Sequence, residues 1–173
     1  QGITELVIDL RYNGGGLLAM ASQLAFMVAG NSQTNNQTFE TLQFNDKYPN
    51  VDPITGNTIS QTPFYSREIN WATSQLTSVN LPSVSLTRVF ILATDNTCSA
   101  SEAVINGLRG IDVEVVLIGD TTCGKPFGFY AQDNCSTTYF NIQIQGINAT
   151  GFGEYSAGFI PTSSPVFAHQ LPG

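Results

Sequence analysis

Charge is scarce in this chain. Asp, Glu, Lys and Arg make up 11% of its 173 residues, against roughly 25% in an ordinary soluble domain. Cations are scarcer still: six Lys and Arg face thirteen acids, for a net charge of −7. Phosphate backbones and anionic lipid surfaces are held by clustered Lys and Arg, so neither nucleic acid nor an anionic membrane face is expected as a partner. The only lysines are Lys47 and Lys125. There is one histidine, His169, in a Pro/Gly-rich tail where such a residue reads as a surface group. Three cysteines, Cys98, Cys123 and Cys135, are too few for a disulfide-dense mini-domain and lack a zinc spacing. Cys123 and Cys135 lie 12 apart across a Gly-rich segment, so a bridge between them is possible, leaving Cys98 free. No apolar run is long enough to span a bilayer, and no signal peptide is present. The chain opens abruptly at Gln1-Gly2 and is strand-like by Glu5, which reads as a piece of a longer protein. The missing leader then says nothing about compartment.

What the chain does have is uncharged polarity, 14 Asn and 18 Thr, a composition that leans towards export. Its length allows one domain with a real core, and no fixed repeat divides it. Glu5 to Leu10 is a short apolar run of β-formers, read as a buried strand. The glycine-rich turn Arg11 to Gly16 breaks it, and Leu17 to Ala29 then carries apolar residues at helical spacing until Gly30. Thr38 to Phe44 alternates as a strand, and the Asn-, Asp- and Pro-rich stretch Asn45 to Pro63 is long enough to border a cleft. Ile69 to Val79, around Trp71, reads as a short helix. A second strand–turn–helix unit runs from Arg88 to Arg109, a third strand from Val113 to Ile118, and a fourth over Thr138 to Gln145 with Phe140, Ile142 and Ile144 on one face. Repeated strand–turn–helix units feed a parallel sheet, so the fold class is α/β.

Ser99 stands where the second unit turns from strand to helix. Backbone N–H groups at such a junction have no helical partner and hold an anion, which suits a nucleophile and an ordinary N-cap alike. Gly119 to Lys125 satisfies most of the phosphate-loop pattern, but Pro126 replaces the Mg²⁺-binding hydroxyl and removes an N–H, and no helical pattern follows. The turn Arg11 to Gly16 lacks the dinucleotide spacing. Its bare glycines either form a tight turn or let an oxyanion approach the backbone. If Ser99 is a nucleophile it needs a base. A Ser-His-Asp triad would have to reach His169. Lys125, beside Phe127, Phe129 and Tyr130, is the other candidate, since desolvation disfavours a charged lysine. A surface lysine in a turn is the plain alternative.

Three segments together resemble the C-terminal processing peptidases, or tail-specific proteases. The family's D-L-R-x-N-x-G-G turn is matched by Asp9-Leu10-Arg11-Tyr12-Asn13-Gly14-Gly15-Gly16, and its S-A-S-E helix start by Ser99-Ala100-Ser101-Glu102. Its strand followed by G-x-x-T-x-G-K is matched by Gly119 to Lys125, 26 residues after Ser99 at the lysine. The resemblance implies a Clp-protease/crotonase-like core, here a single catalytic unit over residues 1–173 without a PDZ module. It implies a serine endopeptidase with a Ser–Lys dyad that cleaves polypeptides near their C-termini, in the periplasm, cell envelope or secreted. Ser99 would be the nucleophile, Lys125 the general base, and the N–H groups of Ala100 and Gly15 the oxyanion hole. Neither cofactor nor metal is implied. Glu102 matches the motif's acid, which the sequence also explains as a capping-box partner or first-turn charge. Many members carry Gln four residues after the lysine; here Phe129 stands there, and orienting Lys125 falls to another group such as Glu102. Non-catalytic relatives share the fold, so a module binding a hydrophobic ligand or a peptide is the alternative function.

Overall fold

The computed structural model describes residues 2–59 and 61–162. In chain order the elements are β1 (Val7–Asp9), α1 (Leu18–Ala29), α2 (Asn31–Thr34), β2 (Thr38–Gln43), β3 (Gln61–Pro63), β4 (Arg67–Asn70) and β5 (Gln75–Asn80). They continue with β6 (Arg88–Ala93), α3 (Ala100–Arg109), β7 (Glu114–Gly119), β8 (Phe127–Gly128), β9 (Gln132–Asn134), β10 (Thr137–Tyr139) and β11 (Ile144–Ile147).

Two sheets organise these pieces. The first is parallel, in the order β1-β6-β7, with Ile8 opposite Ile91 and Ile91 opposite Leu117. Parallel strands need crossovers, and α1 and α3 follow the first two strands as the strand–turn–helix pattern requires. The second sheet is antiparallel, in the order β3-β2-β11-β8. Phe26 and Val28 of α1, Ile105 and Leu108 of α3, Ile91 and Leu117 of the parallel sheet, and Phe39 of β2 join one buried core. Helix α3 is buried along almost its whole length, which a helix between two layers must be.

Two segments differ from the reading of the sequence. Ile69 to Val79 is not a helix but the β4–β5 hairpin, with Trp71 half-exposed beyond β4 and Ser74 in the left-handed region (φ 56°). Ile69, Ala72, Leu76 and Val79 do fall at helical spacing, but β-branched Ile69, Thr77 and Val79 also suit extended backbone. The single strand expected over Thr138 to Gln145 is split between β10 and β11. Of its three apolar residues only Ile144 is buried; Ile142 is exposed, and Phe140 packs edge-on against Phe129, ring centroids 5.4 Å apart. His169 lies outside the described residues. Among them no helix is long and apolar enough to cross a membrane.

Candidate active site

The three motif segments are the turns that leave the C-terminal ends of β1, β6 and β7. Because these strands are neighbours in one parallel sheet, the turns lie side by side. Open α/β sheets bind ligands at this edge. Hydrogen bonds sew the first two turns together. Thr97 Oγ1 donates to the Leu10 carbonyl (2.8 Å) and Cys98 N–H to the Asn13 carbonyl (3.1 Å). Ser101 Oγ reaches both the carbonyl and the side-chain oxygen of Asn13 (3.0 and 2.9 Å). Ser101 thus packs and ties the helix start.

Glu102 joins the second turn to the third. Its carboxylate is fully buried and accepts four hydrogen bonds. Oε2 accepts the N–H of Ser99 (2.9 Å) and of Lys125 (2.8 Å), while Oε1 accepts Gly124 N–H (2.8 Å) and Thr122 Oγ1 (2.6 Å). The capping-box role read from the sequence holds for the Ser99 contact. The same carboxylate also fixes the backbone that carries Lys125.

A covalent tie runs parallel to it. Cys98 is bridged to Cys123, and Cys135 is free and exposed. The Cys123–Cys135 pairing considered from the sequence is therefore corrected. Spacing along the chain favoured that pair, but the sheet edge brings Cys98 and Cys123 to a Cα separation of 5.2 Å, within the range a disulfide needs. The bridge closes a loop with a sequence separation of 25, for which cross-linking stabilises by roughly 3 kcal/mol. Unfolding of the Cys98→Ser/Cys123→Ser variant in urea is expected to show a loss of that size, and added reductant should lower wild type towards the variant while leaving the variant unchanged.

Ser99 is half-buried and has φ 56°, an unfavourable region for a residue with a Cβ. Gly15 backs this conformation. A Cβ built on Gly15 would sit 2.7 Å from the Ser99 Cβ and 3.2 Å from the Ala100 nitrogen, and Gly15 itself has φ 112°. Glycine is the residue that fits there. The Gly15 N–H, however, donates to Asn13 Oδ1 (3.0 Å). Neither Ala100 N–H nor Gly16 N–H has an acceptor among the described residues. Gly16 was not singled out from sequence, although the signal existed: an Asn captures the backbone N–H two residues on, and Asn13 does so to Gly15.

Ser99 and Lys125 line one cavity of about 520 Å³. They do not touch. The Lys125 ammonium rests over the Phe129 ring, 5.6 Å from its centroid, and no hydrogen bond joins it to the Ser99 hydroxyl. A cation over an aromatic face is held by the ring's quadrupole, by about 1 kcal/mol at a partly exposed site. Phe129, four residues after the lysine, is thus the side chain that holds it here. The stretch Asn45 to Pro63 reaches the rim: Tyr130, a cavity-lining residue, donates its hydroxyl to Asp52 Oδ2 (3.0 Å).

One cavity-lining residue had no place in the sequence reading. Glu40 of β2 is 4% exposed, and its Oε2 has no hydrogen-bond partner among the described residues. Burial pushes its carboxyl up to about 7 from 4.5. Burial and the nearby Glu40 and Glu102 charges in turn raise the Tyr155 phenol. A carboxyl raised in the folded state favours folding while protonated. Its stabilising contribution is complete below about pH 4.5 and is lost as pH rises through about 7, roughly 3 kcal/mol in all. The unfolding free energy of wild type minus that of Glu40→Gln should decline by that order between pH 4.5 and 8; a flat difference would contradict it. The signal in sequence was slight: Glu40 is the one charged residue in Thr38 to Phe44.

Comparison with known proteins bears on the family and the fold. A model described as peptidase family S41 matches residues 1–145. No curated protein matches the chain significantly. Among solved structures, a protein named as an S41 protease from Bacteroides fragilis NCTC 9343 superposes with a TM-score of 0.72 at 28% identity, covering 93% of this chain and 37% of its own. A photosystem II D1 C-terminal processing protease gives a TM-score of 0.60 at 21% identity, covering 94% and 34%. A lipoprotein from Streptococcus agalactiae gives 0.62 at 17% identity, covering 95% and 51%. At those last two identities the likeness shows the fold alone. The chain spans about a third to a half of the length of these proteins. The expected α/β class is the fold of the S41 proteases.

Proposed function

The chain belongs to peptidase family S41, and from that premise we propose that residues 1–173 form the catalytic core of a serine endopeptidase with a Ser99–Lys125 dyad. The observation that carries the proposal is the meeting of three separate turns at one sheet edge, with Ser99 and Lys125 on a common cavity. Glu102 supports it by tying the two residues' backbones through one buried carboxylate.

In the reaction Lys125 swings from the Phe129 ring to the Ser99 hydroxyl and, as a neutral amine, takes its proton. Ser99 Oγ forms a bond to the peptide carbonyl carbon, and the carbonyl oxygen becomes an oxyanion. Ala100 N–H, at the first position of α3 and without an acceptor among the described residues, receives it. The glycine contribution comes from the Gly15–Gly16 pair. Gly15 brings the backbone against Ser99, and either it releases Asn13 or the adjacent Gly16 N–H serves. The lysine then gives its proton to the leaving amine as the C–N bond breaks. Water, deprotonated by the same lysine, cleaves the acyl-enzyme and restores Ser99. Protein residues carry every step. The substrates are polypeptides cleaved near their C-termini. The Cys98–Cys123 bridge favours an oxidising compartment, meaning the periplasm, cell envelope or exterior.

One observation favours the other reading, a non-catalytic binding module: the lysine here is drawn onto Phe129. A fluorophosphonate probe separates the two. Stoichiometric labelling of the intact protein, mapped to Ser99, is expected. Absence of labelling at Ser99 would make the fold a binder.

A further inference from the structure

Glu40 lines the cavity of Ser99 and Lys125 yet takes no part in the steps above. Its position is built. Strand residues two apart share a face, and Glu40 and Leu42 both line the cavity while Phe39, just before Glu40, enters the core on the other face. The register of β2 against β3 shifts between Thr38 and Glu40, an irregularity of the kind that re-aims a side chain beside a site. On the neighbouring strand Gly146 leaves the room: a Cβ there would overlap the Glu40 Oε1. Among the described residues Glu40 is the only acid lining the cavity, its other walls including Leu17, Leu42, Phe127 and Ile144. No ion pair joins it to Lys125 among the described residues.

We propose that Glu40 is a specificity-determining residue, the acidic end of the subsite that takes the substrate side chain next to the scissile bond. It selects a long apolar stem ending in a cation, which is a lysine-like side chain. This inference rests on the peptidase reading of Ser99. The physical reason is the unpaired carboxylate oxygen. A buried acceptor without a donor is costly, so a ligand that brings an ammonium gains the contact and removes the penalty. A norleucine side chain of the same stem leaves the penalty in place, and a glutamate adds a like charge.

The test uses peptides that differ only in the residue on the N-terminal side of the cleaved bond: Lys, norleucine or Glu. In wild type kcat/KM is expected to favour Lys over norleucine by roughly tenfold or more, with Glu poorest. Glu40→Gln and Glu40→Leu should each bring the Lys/norleucine ratio close to one, and Glu40→Lys should favour the Glu peptide. An unchanged ratio in the folded Glu40→Gln and Glu40→Leu variants, or a wild type that prefers norleucine, overturns the proposal. Equal loss for both peptides also overturns it, since Glu40 would then act on Lys125 instead. Binding of the same peptides to Ser99→Ala, read by fluorescence anisotropy, keeps the two claims apart. A Lys preference in binding, lost on adding Glu40→Gln, upholds Glu40 even where wild type cleaves nothing and the peptidase reading fails. Cleavage without any preference does the reverse.

Discussion

Alanine at Ser99 or at Lys125 is expected to lower kcat/KM for peptide hydrolysis by at least about a thousandfold, and the double variant by no more than the worse single one. Groups that act as one unit behave this way, because removing either already disables the step they share. The residual rate comes from the binding cavity and the Ala100 N–H, which both variants keep. KM should change little, since neither side chain is assigned a ground-state contact with the substrate. Two effects that multiply would mean that Ser99 and Lys125 act independently, and the dyad would fail even with both residues important.

Glu102→Ala is expected to carry the largest structural effect. The carboxylate is fully buried and takes donors from Ser99, Thr122, Gly124 and Lys125. Removing it orphans those donors together and opens a hole at the joint between two turns. Breaking a buried polar link of this sort costs roughly 3–5 kcal/mol, on the order of 10 °C in a chain of this size. Glu102→Gln is the sharper variant. Both carboxylate oxygens accept, whereas an amide offers one acceptor and turns its NH₂ towards N–H groups. Glutamine should therefore recover only part of the lost stability, and activity should stay low in the folded fraction. Thermal unfolding of both variants checks this; a Glu102→Gln protein as stable as wild type would contradict the stitching role.

The parallel half of the fold was legible because its signals are local. Strand, glycine turn and helix succeed one another twice, and the helices over Leu18–Ala29 and Ala100–Arg109 fall where the apolar spacing puts them. Ser99, Ala100, Glu102 and Lys125 stood out as candidates for the same reason, since each lies in a short motif. What depended on contacts across the chain was not legible. The Cys98–Cys123 pairing follows from the lateral approach of two turns, which spacing does not report. Gly16 emerged only once Asn13 was seen to occupy the neighbouring amide. Glu40 is invisible as a motif, because what distinguishes it is a gap opposite Gly146 and the want of a donor. The β4–β5 hairpin was misread because its apolar residues stay largely exposed, so neither period is enforced by burial.

The central claim is that Lys125 takes the proton of Ser99, although at rest its ammonium lies over Phe129. The most direct test is the rate at which a fluorophosphonate labels Ser99 as a function of pH, in wild type and in Lys125→Met. No peptide substrate need be known, and methionine keeps the unbranched stem without the amine. Wild type should label at a rate that rises with pH, and Lys125→Met should label at least about a hundredfold more slowly without that rise. Equal rates and equal pH profiles in the two proteins would contradict the assignment of Lys125 as the base.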